Sequence, residues 1–210
     1  MNTQSKLRLF LDADDVLLHS TKAVVDILNK RNINLNAKPE DVVEWNYTSI
    51  CPSMTAEEVL KIYESKEFWE TVRMDTTALE LLLQLHKDIE ICVVSKGTDK
   101  NLKEKKKFLQ TYLLHFDFIG LSLSKDETCF DKSCVDMSGL SIQVDDRTDC
   151  LLGTNATLKI LLRNGTDKPW NRYTGGETNL YIANNWNEVA DIIRFYHDNR
   201  ELLTEVGCYA

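Results

Sequence analysis

Three polar segments in this sequence each stand directly behind a short apolar run. Residues 7–11 are followed by Asp12-Ala13-Asp14-Asp15, residues 89–94 by Ser95-Lys96-Gly97, and residues 140–144 by Asp145-Asp146-Arg147. Asp or Ser behind a strand often only caps the next helix. Carboxylates crowded at the end of a buried strand, however, repel one another unless a cation or proton lies between them, and here two such clusters occur in one chain. Hard oxygen donors of this kind suit Mg²⁺, which joins one or two carboxylates to a substrate phosphate and keeps several waters. The candidate ligands are Asp12, Asp14, Asp145 and Asp146, with the direct ligand of the last pair left open. The four histidines are scattered and there is no CxxC pair, so no zinc site competes.

A carboxylate aimed at phosphorus can act as a nucleophile and split one hard displacement into two easier ones. Asp12 is placed for that role. Asp14, two residues further along an extended segment, lies on the same side and can serve as general acid and base, provided it carries a proton while Asp12 stays ionised. Ser95 and Lys96, together with a lysine from the following segment, would hold the phosphoryl oxygens as charge spreads over them. Lys132 is favoured as that lysine, with Lys125 as its rival.

These groups need a scaffold that brings them to one edge. Apolar, strand-forming runs at 7–11, 89–94, 116–121, 140–144, 158–162 and 180–183 alternate with helical periodicity at 21–30, 56–65, 77–85, 100–114 and 186–197. That alternation predicts an α/β fold with a mainly parallel, doubly covered sheet, whose ligands bind beyond the carboxyl ends of the strands. About eighty residues separate the first two polar segments, against the roughly 10–12 that a crossover requires. The excess predicts a small helical cap at 18–74 inserted after the first strand, with a catalytic core at 1–17 and 75–210. The cap holds Trp45, Tyr47, Tyr63, Phe68 and Trp69. Packing is the expectation for the first three, whereas Phe68 and Trp69 are assigned to the substrate because adjacent residues cannot both face the core of one helix. The run LKEKKKF at 102–108 reads as a solvated helix face able to steer anions. The long loop at 164–179 is expected to close over the site or to reach a neighbouring subunit.

The 210 residues suit one domain carrying a substantial insertion, and 33 acidic against 25 basic side chains leave a net charge of -8. That balance counts against broad binding to long nucleic acids. No apolar stretch approaches the roughly 20 residues that span a bilayer, so no membrane role is expected. The beginning MNTQSKLRLF lacks a signal-peptide pattern, and the six cysteines read as reduced packing thiols of a cytoplasmic protein.

Taken together, LFLDADDVL, VVSKG, the downstream lysine and IQVDDR resemble the four motifs of the haloacid dehalogenase superfamily. The second aspartate of the first motif resembles its phosphatase members rather than its dehalogenases. Within the superfamily the chain is most similar to the 5′(3′)-deoxyribonucleotidases, through Asp131-Lys132-Ser133, Val144-Asp145-Asp146-Arg147, KPWN at 168–171 and WNEV at 186–189. The segment FWETV resembles that family's base-stacking segment. The resemblance implies a Rossmann-like core with a helical cap, and Mg²⁺-dependent hydrolysis of (deoxy)nucleoside monophosphates through an aspartyl phosphate on Asp12. It also implies a small-molecule nucleotide partner and a homodimer. Asp15 departs from the pattern, standing where members usually carry Gly. Rival readings are a phosphatase for another small phosphate ester or a polynucleotide 3′-phosphate, and a catalytically silent nucleotide binder.

Overall fold

The computed structural model describes residues 6–124, 131–199 and 202. Its apolar runs form six parallel strands: β1 (Leu7–Leu11), β2 (Ile89–Gly97), β3 (Asp117–Ser122), β4 (Ser141–Asp145), β5 (Leu158–Leu162) and β6 (Leu180–Ala183). Their order is β3-β2-β1-β4-β5-β6, the Rossmann-like α/β arrangement expected from the alternation. From β1 the chain builds outward on one side through β2 and β3, then from β4 on the other. The direction reverses between β1 and β4, and such a switch point opens a crevice at the carboxyl ends of the two strands. Leu11 is in register with Val144, and the Asp12 amide donates to the Val144 carbonyl at 3.0 Å. This pairing sets the residues that follow the two strands side by side.

Alternation along β1 divides the core. Leu7, Leu9 and Leu11 pack into the larger cluster, while Phe10 joins Cys92, Val94, Leu121 and Met137 on the opposite face. Helices α4 (Thr76–Leu85), α5 (Asp99–Gln110), α6 (Thr148–Leu152) and α7 (Trp186–Asp198) accompany the sheet. Between β1 and α4 the chain leaves the core to form α1 (Ser20–Arg31), α2 (Ala56–Tyr63) and α3 (Lys66–Thr71). It departs and returns at one place: Leu18 bridges Met74, and the Asp75 amide donates to the Leu17 carbonyl at 2.8 Å.

Side-chain caps start most of these helices. Thr55, Ser65, Asp75, Thr98 and Asn185 each accept a backbone N–H from the first turn of the helix that follows. The helical periodicity read as far as residue 114 ends at Gln110, where the Thr111 and Tyr112 amides tighten the last turn onto Phe108 and Leu109. The short helices α3 and α6 carry too few residues to show a period. Among the cysteines, Cys51, Cys92 and Cys150 are free thiols, as expected, whereas Cys134 is disulfide-bonded and departs from the expectation of reduced cysteines. Among the described residues no helix is long and apolar enough to cross a membrane.

Gly97 closes β2 against α5, and a Cβ there would lie 2.6 Å from Asn101 Oδ1. Asn101 is buried and cannot swing away freely, because its Nδ2 donates to the Tyr63 carbonyl at 3.0 Å. Gly97→Ala should therefore destabilise the protein by about 1–3 kcal/mol in a denaturant melt. An unchanged midpoint would show that Asn101 yields without losing its contact to α2.

Candidate active site

Lys132 is the centre of the site. Its ammonium donates to Asp12 Oδ1 and to Asp145 Oδ2, both at 2.6 Å, and all three residues are buried. Burial alone would lower the lysine pKa, but Asp12 and Asp145 together hold it well above its ordinary value. Its backbone is left-handed, with φ 62°, a conformation that a non-glycine residue keeps only where the surroundings hold it. Lys125, the rival, lies outside the described residues. Burial likewise pushes Asp145 up to about 6, although Lys132 acts against it. Asp146 is pushed well above its usual value, by burial first and then by Asp145, Asp15 and Asp12. Trp170 supports it, donating from Nε1 to Asp146 Oδ2 at 2.9 Å.

Asp14 accepts two hydrogen bonds, from Ser20 Oγ at 2.6 Å and from Lys105 Nζ at 2.5 Å. Lys105 also donates to Ser95 Oγ at 2.8 Å and is fully buried. The sequence reading missed this lysine by treating 102–108 as a solvated face. A signal was present: Leu102, Lys105 and Leu109 share the buried side of α5 at helical spacing, so the apolar stripe passes through a lysine. Ser95, expected to hold the phosphoryl oxygens, is fully buried and does not line the cavity, its hydroxyl accepting from Lys105, while Lys96 and Gly97 do line it.

The cavity has a volume of about 400 Å³. Its floor carries Asp12, Asp14, Lys132, Asp145 and Asp146, and its aromatic walls are Trp45, Tyr47, Tyr63 and Trp170. Phe68 and Trp69 are not among the lining residues, a departure from the sequence assignment. Phe68 is wholly buried against Tyr63, with ring centroids 4.8 Å apart, and Trp69 packs on Phe108 of α5 at 5.7 Å. Adjacent residues are both packed here because α3 is wedged between other elements, and each ring meets a different neighbour. Trp45, by contrast, stays 56% exposed at the cavity wall, where a planar ligand could stack.

The carboxylates fit a cation. Five of them reach the cavity, with the ammonium groups of Lys96 and Lys132 beside them, and burial is the first cause that pushes Asp145 and Asp146 up. Hydrogen bonding does not separate the candidates: both oxygens of Asp14 accept donors, as do both of Asp145, from Lys132 and the Arg147 amide, while Asp12 and Asp146 each accept on one oxygen. Among the described residues no group of three or more His, Cys, Asp or Glu forms a ready cage.

The loop that carries Trp170 also clamps the insert. Lys168 Nζ donates to three backbone carbonyls, those of Pro39 at 2.8 Å, Glu40 at 2.9 Å and Val42 at 2.6 Å. All three ammonium donors are thereby used on the segment leading to Trp45.

Known proteins share this architecture. A haloacid dehalogenase-like hydrolase of Streptococcus pneumoniae aligns over 89% of this chain and 97% of its own, with TM-score 0.59 and 14% identity. A structure described as a predicted phosphatase, from Clostridium acetobutylicum, aligns over 90% and 99%, with TM-score 0.58 and 16% identity. A Bacillus subtilis HAD-hydrolase, YfnB, described as bound to magnesium, aligns over 90% and 99%, with TM-score 0.51 and 14% identity. No curated protein matches the sequence. Residues 6–198 match the family described as 5′ nucleotidase, deoxy (pyrimidine), cytosolic type C. With that match spanning nearly the whole chain, over a haloacid dehalogenase-like fold, the chain belongs to this nucleotidase family of hydrolases.

Proposed function

We propose that the protein hydrolyses (deoxy)nucleoside monophosphates to nucleoside and phosphate, with Mg²⁺ as cofactor. The observation that carries this reading is Lys132 held between Asp12 and Asp145 at the floor of a cavity whose walls are aromatic. Asp12 is the nucleophile, forming an aspartyl phosphate as the nucleoside oxygen leaves. Asp14 gives the leaving oxygen its proton, then takes one from the water that attacks the phosphoenzyme. The donors on Asp14 in this structure, Ser20 and Lys105, match the state in which it acts as a base. Lys132 and Lys96 neutralise the phosphoryl oxygens as negative charge spreads over them. Ser95 acts indirectly, through Lys105.

Asp12, Asp145 and Asp146 would hold Mg²⁺, which when bound offsets the charge of the carboxylates and the phosphoryl group. Support comes from their donor chemistry and from the magnesium-bound Bacillus subtilis neighbour. The aromatic wall would hold the base, with Trp45 as its exposed stacking surface. The family's description as cytosolic supports a cytoplasmic setting.

Phosphate release from 5′- and 3′-ribo- and deoxynucleoside monophosphates, sugar phosphates and an oligonucleotide 3′-phosphate tests the substrate. Turnover should fall mainly on the mononucleotides, require Mg²⁺ and stop with chelator. Turnover confined to sugar phosphates or to the oligonucleotide would overturn the substrate assignment. Asp12→Asn should reduce turnover to background with the fold intact; retained Mg²⁺-dependent activity would exclude Asp12 as nucleophile. Trp45→Ala should raise the nucleotide KM about 10-fold or more, as expected for one lost base–aromatic stack. Trp69→Ala should act mainly on Tm.

Metal-free stability offers a separate check. A carboxyl whose folded pKa is raised contributes most below its unfolded value, near 4, and that contribution disappears as pH rises through the folded value, about 6 for Asp145. Mg²⁺ offsets the ionised acids, so its addition should raise Tm more at pH 8 than at pH 5. An equal rise at both pH values would argue against these acids as ligands.

A further inference from the structure

Residues 38–46 of the insert carry Trp45, the exposed ring of the cavity wall, on a backbone of two short turns. Pro39–Asp41 is a single 3₁₀ turn, and the Tyr47 amide closes the next onto the Glu44 carbonyl at 2.9 Å. Val42, between them, is buried and lines the cavity. A turn this short leaves its last carbonyls short of partners. Lys168 supplies them, its ammonium donating to the carbonyls of Pro39, Glu40 and Val42 at 2.8, 2.9 and 2.6 Å. Among the described residues no other hydrogen bond reaches 38–46 from outside 38–49.

The lysine stands on a fixed base. Its amide donates to Asn171 Oδ1 at 2.8 Å, and Asn171 Nδ2 donates to the Thr166 carbonyl at 3.0 Å, which closes the turn Pro169–Asn171. Trp170, in the same turn, lines the cavity and donates to Asp146 Oδ2. Thr148 Oγ1 secures the far side, donating to the Arg172 carbonyl at 3.0 Å. One turn behind β5 therefore carries one wall ring directly and reaches the segment of another through three carbonyls. Lys168 itself does not line the catalytic cavity. An ammonium has three protons to give, and all three go to these carbonyls, so none is left for a substrate.

We propose that Lys168 is a positioning residue for base recognition, holding residues 39–42 so that Trp45 stands where a nucleobase stacks. The inference deepens the nucleotidase reading above and rests on it. An ammonium taken out of water is costly unless its donors are met. Here three carbonyls converge on one nitrogen, which fixes their places relative to one another and to the turn Pro169–Asn171. Trp45 is 56% exposed, so its ring takes its place from the backbone that carries it more than from packing. A ring already held in place spares the ligand the entropy of ordering it.

The test compares thymidine 5′-monophosphate with 2-deoxyribose 5-phosphate, which keeps the phosphate ester and sugar but has no base, in the presence of Mg²⁺. The unsubstituted protein should favour the nucleotide in kcat/KM. Lys168→Met, which keeps the length of the side chain and loses its donors, should lose about 5-fold or more of that preference, the lower end of one base–aromatic stack. The loss should fall on the nucleotide KM, with kcat for both substrates kept. Lys168→Gln, which retains two donors, is the milder variant should Lys168→Met fail to fold, and it should lose part of the preference. Adding either substitution to Trp45→Ala should cost little more than Trp45→Ala alone, because both act on the same stack. Amide hydrogen exchange across residues 40–47 should quicken in the Lys168 variants. A preference kept in these variants, an equal loss on both substrates, losses that add to that of Trp45→Ala, or unchanged exchange would each overturn the inference. Nucleotide turnover without preference over the sugar phosphate would overturn it too and leave the nucleotidase reading standing. No nucleotide turnover at all would sink both.

Discussion

The buried ammonium of Lys132, shared between Asp12 and Asp145, constrains the rest of the molecule. Removing three charges from water costs several kcal/mol per ion, and only close, well-directed pairing offsets it. That pairing needs two carboxylates on adjacent strand ends, which the reversal of strand order between β1 and β4 supplies. It also needs a lysine arriving from beyond β3 with its backbone turned into the left-handed region. Burial is the first cause that pushes Asp146 up, and the charges of Asp145, Asp15 and Asp12 add to it, so the carboxylates behind β1 and β4 act on one another across the crevice.

A second layer of polar contacts ties the insert to this centre. Ser20 and Thr21, at the start of α1, reach back to Asp14 and Asp15. Asn101 and Thr98, at the start of α5, hold the Tyr63 carbonyl and Glu64 at the end of α2. Lys168 grips the carbonyls at Pro39, Glu40 and Val42. The contacts of Thr98, Asn101 and Lys168 reach segments that end at or lead to a cavity aromatic, and those of Ser20 and Thr21 fix the start of the insert. The position of the aromatic wall is therefore tied to the residues behind β1.

Two errors of sequence reading share a physical origin. Lys105 looked solvated because lysine is seldom buried, yet it lies on the inner stripe of α5, where Asp14 and Ser95 compensate its charge. Phe68 and Trp69 looked like ligand contacts because a lone helix has one buried face, yet α3 is enclosed on several sides. In both cases the deciding term was a neighbour distant in sequence, which no local pattern contains. Trp45, the exposed ring at the cavity, had no periodic signal of any kind.

The chain's own order of residues determined the strands, the α/β class, the polar segments behind β1, β2 and β4, and the presence of an insert after β1. Those are local properties: period-two and period-3.6 burial, capping side chains, and acids placed where a buried strand must end. Only the tertiary structure decided that Lys132 joins Asp12 to Asp145, that Lys105 turns inward, and that Trp45, Tyr47, Tyr63 and Trp170 form the wall. Those outcomes depend on pairing energies between groups far apart in the chain, and a charge or ring takes its role from the partner that meets it.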